Sequence, residues 1–284
     1  MRSKLFVPAI RPELFAKALG TAADAICFDL EDGVPRDKKP EARDNLDAFL
    51  SSPASEVQKR LMVRVNPVNS IDFPHDLRAV IRPSLFAIAL PKVETIEEIH
   101  HAAELLSSIE QERGVTSPVA LLITLESPRG LRCAYELAVS SARICGLQLG
   151  FADLLEPLGI SSNYGVARQQ IRLIVRLAAG DAGVDCYEGA YPLIRDKVGF
   201  LAELSNARAL GFAGASCIHP DQVEDANRVF SPTPEEIAYA ETVLVAAEEA
   251  DRAGNAVAVL NGKMIDRPFI LRARAILDRK AIDL

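Results

Sequence analysis

The 284-residue sequence predicts an α/β fold, a TIM (β/α)8 barrel of parallel strands followed by a C-terminal helical and hairpin lid extension. Three observations carry this expectation. Short runs rich in Val, Ile, Leu and Phe alternate eight times with longer stretches of helical period. The runs are apolar on both faces, which suits parallel strands covered by helices. The length matches one barrel of about 250 residues with a short addition.

In chain order, the expected strands are Lys4 to Ala9, Ala25 to Glu31, Leu61 to Asn66 and Leu85 to Val93. Val119 to Ser127, Ile144 to Ala152, Gly189 to Ile194 and Gly214 to His219 complete the set. Helical stretches such as Pro12 to Gly20, Ile96 to Arg113 and Val198 to Leu210 lie between them, the last stopped by Gly211. Ser231-Pro232-Thr233-Pro234 then breaks the cycle, dividing a catalytic barrel over 1–230 from an extension over 231–284. Within the extension, Glu235 to Ala253 reads as a long helix rich in Ala and Glu. Ala256 to Leu260, the turn Asn261-Gly262 and Met264-Ile265-Asp266 read as a hairpin, and Pro268 opens a last helix.

A net charge of -7 offers no broad basic field, so neither nucleic acid nor an anionic membrane is the expected partner. No run approaches the roughly 20 apolar residues that cross a bilayer. The start, Met1-Arg2-Ser3-Lys4, leads into a short run interrupted by Pro8 and Arg11, unlike a signal peptide. Five scattered cysteines without a Cys-x-x-Cys pair argue against a disulfide framework and a zinc ribbon. A cytoplasmic enzyme acting on small molecules is the expectation.

Active sites of such barrels sit at the strand C-termini and the loops after them, so strand ends are where reactive groups count. Strand two ends in Asp29-Leu30-Glu31-Asp32-Gly33, and strand three carries Arg64 and Asn66. Strand five carries Glu126, and strand six ends at Phe151-Ala152-Asp153. Neighbouring parallel strands lie about 4.8 Å apart, so Glu126 and Asp153 can share one hard cation completed by water and substrate oxygens. The four histidines lack metal-ligand spacing. Each position also has an ordinary structural reading: a solvated strand-end cap for the two carboxylates, and a salt bridge to Asp29 or Glu31 for Arg64.

Eight motifs in order resemble one family. They are Arg2 to Ala9, Arg11 to Ala18, Phe28 to Val34 followed by Lys39, Ala42 and Arg43, and Val63-Arg64-Val65-Asn66. Leu90-Pro91-Lys92-Val93-Glu94, Leu125 to Gly130, Cys217 to Val223, and Asn261 to Pro268 complete them. The chain resembles, from end to end, the HpcH/HpaI aldolase and citrate lyase beta-subunit (CitE-like) family, in particular its malyl-CoA and citramalyl-CoA lyase-like branch.

The resemblance implies a barrel in which Glu126 and Asp153 hold Mg2+, with Mn2+ the alternative ion, and Arg64 grips the acyl substrate. It places Phe6, Arg11 and Lys17 against a coenzyme A thioester, and Ala152, Glu126, Ile218 and His219 among substrate-contacting positions. Asp266 matches a catalytic aspartate on a lid that reaches a neighbouring subunit's site, which implies a homo-oligomer, a trimer or hexamer. One departure is the end of strand six, Leu149-Gly150-Phe151-Ala152-Asp153, where many relatives are more acidic.

The expected activity is Mg2+-dependent carbon-carbon cleavage of a malyl-, citramalyl- or citryl-CoA type 3-hydroxy-acyl-CoA to acetyl-CoA and a 2-oxo acid. Glu31 orients metal-bound water or only holds its loop. Arg11 and Lys17 bind CoA phosphates or are plain surface charges. Asp266 is the general acid or base, or a helix cap before Pro268. The alternatives are a CoA-independent class II hydroxy-keto-acid aldolase, a citrate lyase beta subunit acting in a complex with an acyl-carrier partner, and a barrel serving as a scaffold without turnover.

Overall fold

The computed structural model describes residues 1–55, 57–161 and 165–282. Eight parallel strands close into a barrel: β1 (Ser3–Pro8), β2 (Ala25–Asp29), β3 (Arg60–Arg64), β4 (Leu85–Leu90), β5 (Ala120–Leu125), β6 (Ile144–Leu149), β7 (Asp185–Glu188) and β8 (Gly214–Cys217). Each strand pairs with its sequence neighbour, and β1 pairs with β8 to close the ring. The expected (β/α)8 barrel is the architecture found. Its interior packs apolar side chains, many of them small or sulfur-bearing, among them Ala25, Cys27, Met62, Ala87 and Ala89. Outside, Phe28 of β2 meets Phe15 and Phe49 edge to face at 4.7 and 5.2 Å, clamping the helices Phe15–Leu19 and Lys39–Leu50 onto the barrel.

Local signals fix where the helices begin and end. Thr95 and Glu98 form a reciprocal capping box at the start of Ile96–Arg113, and Gly114, at φ 64°, ends that helix in the left-handed region.

One strand lies elsewhere than the sequence reading put it. The seventh strand is Asp185–Glu188, not Gly189 to Ile194. The short run Asp-Cys-Tyr-Glu reads as polar because two of its four residues are carboxylates, yet Glu188 is buried, where Arg172 donates to it from Nε at 2.9 Å and Nη2 at 3.0 Å. The more apolar segment after it is a loop that leaves Leu193 53% exposed, with Pro192 removing a ladder donor.

Residues Met1–Val229 and Phe230–Leu284 form two compact units. In the second, the helices Pro234–Arg252 and Arg267–Ile282 flank a hairpin of β9 (Ala258–Leu260) and β10 (Lys263–Ile265). Asn261 and Gly262, at φ 50° and 75°, make its two-residue turn, the conformation that favours Asn-Gly. Ala240, Val243, Ala258, Ile265 and Ala273 are the unit's own core. Among the described residues no helix is long and apolar enough to cross a membrane.

Candidate active site

Register between β2 and β3 sets Asp29 beside Arg64. Arg64 grips Asp29 bidentately, Nε to Oδ1 and Nη2 to Oδ2, both at 2.7 Å, while its Nη1 lies 3.0 Å from Oε2 of Glu31. Asp29 also accepts the backbone N–H groups of Glu31 at 3.0 Å and Gly33 at 2.8 Å. The guanidinium is therefore held rigidly from behind, with its face 5.2 Å from the Phe6 ring. Both structural partners weighed for Arg64 are real, and together they orient it at the rim of the cavity.

The other oxygen of Glu31 accepts from Lys92 Nζ at 2.7 Å. Burial pushes the Glu31 carboxyl up, and Arg64 and Lys92 only partly offset it. Lys39 donates to the carbonyls of Leu30 and Glu31, pinning this loop. Lys92 itself stands at φ 53°, a left-handed conformation that a lysine adopts only at some cost. That turn aims its N–H at Oε1 of Glu126, 2.7 Å away, and brings its ammonium within 3.6 Å of Asp32 and 3.8 Å of Asp153.

Glu126 follows β5 and is 5% exposed. Gly150, at the end of β6, is what lets it sit there: a Cβ on Gly150 would fall 2.4 Å from Oε2 of Glu126. Burial first, then the facing carboxylates of Glu31 and Asp153, push the Glu126 carboxyl up to about 8. Asp153 is half-exposed on the short helix Phe151–Leu155. This helix is held by Phe151, whose ring lies beneath the guanidinium groups of Arg168 and Arg172 at 3.9 and 5.3 Å.

The donor set fits a hard cation. Its groups are all oxygens, and the ionised form of Glu126 is disfavoured by its carboxylate neighbours, which a cation shared with Asp153 would relieve. Among the described residues no three His, Cys, Asp or Glu side chains converge on one point, so such a cation would take its remaining ligands from water and substrate.

A cavity of about 400 Å3 opens at this end of the barrel. Phe6, Arg64, Glu126, Ala152, Asp153 and Ile218 line it, six of the positions singled out from sequence. Arg11, Lys17 and His219 are not in its lining. Arg11 is exposed and paired with Glu13, and Lys17 is exposed on Phe15–Leu19. His219 accepts the Asp221 N–H at Nδ1, 3.3 Å away. Asp266 belongs to the C-terminal unit, where its Oδ1 is buried without a hydrogen-bond partner.

Sequence reasoning gave no role to Lys92, although it lies inside a quoted motif, nor to Thr124, Gln148 and Ser216, which also line the cavity. Lys4, Thr124 and Gln148, polar residues inside otherwise apolar runs, were readable signs that the interior is polar below the rim. A larger groove of about 820 Å3 runs along the helices Ala134–Val139 and Gly165–Ala182, outside the barrel and away from these groups.

Comparison with known proteins adds the chemistry. A family model described as HpcH/HpaI aldolase/citrate lyase matches residues 2–220. Citrate lyase subunit beta of Haemophilus influenzae is 34% identical over 283 residues, spanning 98% of this chain and 96% of that protein. The (3S)-malyl-CoA thioesterase of Cereibacter sphaeroides is 36% identical over 279 residues, spanning 97% and 93%. A crystal structure of CitE from Mycobacterium tuberculosis in complex with magnesium, acetoacetate and coenzyme A matches with a TM-score of 0.78 at 32% identity, over 99% of this chain and 100% of that one. Fold, strand-end site and relatives together make this a carbon-carbon lyase on a TIM barrel. The chain belongs to the HpcH/HpaI aldolase/citrate lyase family.

Proposed function

We propose that the chain is a Mg2+-dependent lyase that cleaves a malyl-, citramalyl- or citryl-CoA type thioester to acetyl-CoA and a 2-oxo acid. The observation that carries this reading is the placement of Glu126 and Asp153 across one cavity from a braced Arg64, with Glu126 short of positive charge. The relative solved with magnesium and coenzyme A supports it.

Glu126 and Asp153 would hold the ion, with Mn2+ the alternative. Bound there, it supplies Lewis-acid polarisation of the substrate's hydroxyl and carboxylate oxygens. Cleavage turns the hydroxyl into a carbonyl, its proton passing to solvent, and leaves the bonding electron pair on the carbon next to the thioester. Arg64, fixed by Asp29 and Glu31, stabilises the oxyanion of that enolate without reorganising. Asp266 delivers the proton that completes acetyl-CoA, from a lid that serves a neighbouring subunit. Its unpartnered Oδ1 favours this role over that of a helix cap.

Phe6, Ala152, Ile218 and His219 border the acyl and pantetheine path. Arg11 and Lys17 meet the CoA phosphates, for which Arg11 exchanges Glu13 for phosphate. The homo-oligomer this requires, a trimer or hexamer, is supported by the exposed apolar face of Leu173, Ile174 and Leu177 beside Tyr135. A cytoplasmic location belongs to the same reading.

Calorimetric titration with Mg2+ tests the site: Glu126→Gln combined with Asp153→Asn should abolish binding while the melting temperature shows a folded protein. Retained affinity would remove the pair from the metal site. A second reading, thioester hydrolysis, is favoured by the 36% identical relative named (3S)-malyl-CoA thioesterase. It yields free CoA and a hydroxy acid in place of acetyl-CoA and a 2-oxo acid.

A further inference from the structure

Mg2+ is usually held by one or two carboxylates and keeps its other octahedral positions for water and substrate. This end of the barrel offers it more than two. Glu31 and Asp153 both face Glu126, and Asp32 lines the same cavity. An ion that gathered three or four of them would be neutralised and closed, with little power left to polarise a substrate oxygen. Among the described residues no three of these side chains converge, so something draws them apart.

Lys92 touches all four. Its ammonium lies 2.7 Å from Oε1 of Glu31, 3.6 Å from Oδ1 of Asp32 and 3.8 Å from Oδ1 of Asp153. The contact with Glu31 is a charge-assisted hydrogen bond to a side chain that is 4% exposed. Asp32 and Asp153 are 58% and 41% exposed and lie beyond hydrogen-bond range, where solvent screens the attraction. Glu31 is therefore the carboxylate that Lys92 holds firmly. It has the capacity to ligate an ion, since its buried Oε2, 3.0 Å from Nη1 of Arg64, accepts no hydrogen bond. The backbone of Lys92 acts the other way on Glu126: the turn at φ 53° donates its N–H to Oε1 and fixes that carboxylate in the site.

We propose that Lys92 is a positioning residue that withholds Glu31 from the cation, so that Glu126 and Asp153 stay its only protein ligands and the remaining positions stay open to substrate oxygens. The inference rests on the metal reading of Glu126 and Asp153 above. Removing the ammonium has two effects of one sign: it takes away a positive charge that repels a dication, and it frees a buried carboxylate to bind one. Affinity for the ion rises while its open positions are lost. A residue that merely braced the site would act in the opposite direction, because its loss would weaken the ion.

The test is calorimetric titration of the full chain with Mg2+, paired with water-proton relaxation by bound Mn2+, which reports the water left on the ion. Lys92→Met keeps the N–H on Glu126 and should bind Mg2+ at least tenfold more tightly than wild type, with less relaxation per bound Mn2+. Adding Glu31→Gln should return both readings to near wild type, and Lys92→Arg, which keeps the charge, should leave both unchanged. Lys92→Gly, which relaxes the left-handed backbone, takes the place of Lys92→Met should that variant not fold. Unchanged or weaker Mg2+ binding without the ammonium overturns the inference. Tighter binding with unchanged relaxation also overturns it, because Lys92 would then act only as a distant charge. If the wild-type chain binds no Mg2+, the metal reading itself falls, and the inference with it.

Discussion

Lys4 carries a cost that its neighbours do not repay. Burial pulls its ammonium down to about 8 from an ordinary 10.5, so the charged form is disfavoured by about 3 kcal/mol at 1.36 kcal/mol per unit. Between pH 8 and 10.5 the unfolded chain binds more protons at this residue than the folded one, so wild-type stability gains from rising pH in that window. Lys4→Met cannot gain in this way. The stability of the variant minus that of wild type, from urea unfolding, should fall by about 3 kcal/mol from pH 7 to 10.5. A flat difference would mean that Lys4 is not buried as a cation. That Arg64, Glu126 and Asp153 line one cavity was legible because each falls at or shortly after the end of an apolar run. Lys92 was not, since its importance comes from a left-handed φ that no composition announces.

Among elements, β7 shows most clearly how burial can invert a sequence signal. Its Glu188 is fully buried against Arg172, and Arg172 also pairs with Glu203 and overlies Phe151, on the helix that carries Asp153. Seven strands stood near their expected places because apolar residues dominate their runs. The eighth hides a charge pair, which hydropathy counts as surface. Arg172→Met should cost about 3–5 kcal/mol, because among the described residues it leaves Glu188 with one cationic neighbour, Arg168 at 3.5 Å. It should also weaken Mg2+ binding by freeing Phe151 and its helix. Unfolding by urea with a parallel metal titration measures both; loss of stability with unchanged metal affinity would confine the network to a structural role.

At the scale of the whole molecule, the barrel unit carries Arg64, Glu126 and Asp153, and the C-terminal unit carries Asp266. The division between Val229 and Phe230 falls just before the Pro-rich run Ser231-Pro232-Thr233-Pro234, while no local pattern encodes a quaternary arrangement. Asp266→Asn should lower turnover by at least a hundredfold with modest change in substrate affinity. If the lid serves a neighbouring subunit, mixed oligomers assembled from Asp266→Asn and Glu126→Gln chains should regain activity that neither variant has alone. Mixtures as inactive as their components would place Asp266 outside the neighbour's site.

The proposed reaction breaks a carbon-carbon bond in a coenzyme A thioester at this barrel face with the help of a cation held at Glu126 and Asp153. Release of acetyl-CoA from malyl-, citramalyl- and citryl-CoA, followed by chromatography with Mg2+ and again with excess EDTA, tests it most directly. Acetyl-CoA and a 2-oxo acid should form in equal amounts from at least one thioester, and stop with EDTA. Free CoA with a hydroxy acid, or acetyl-CoA release that EDTA leaves intact, would contradict it.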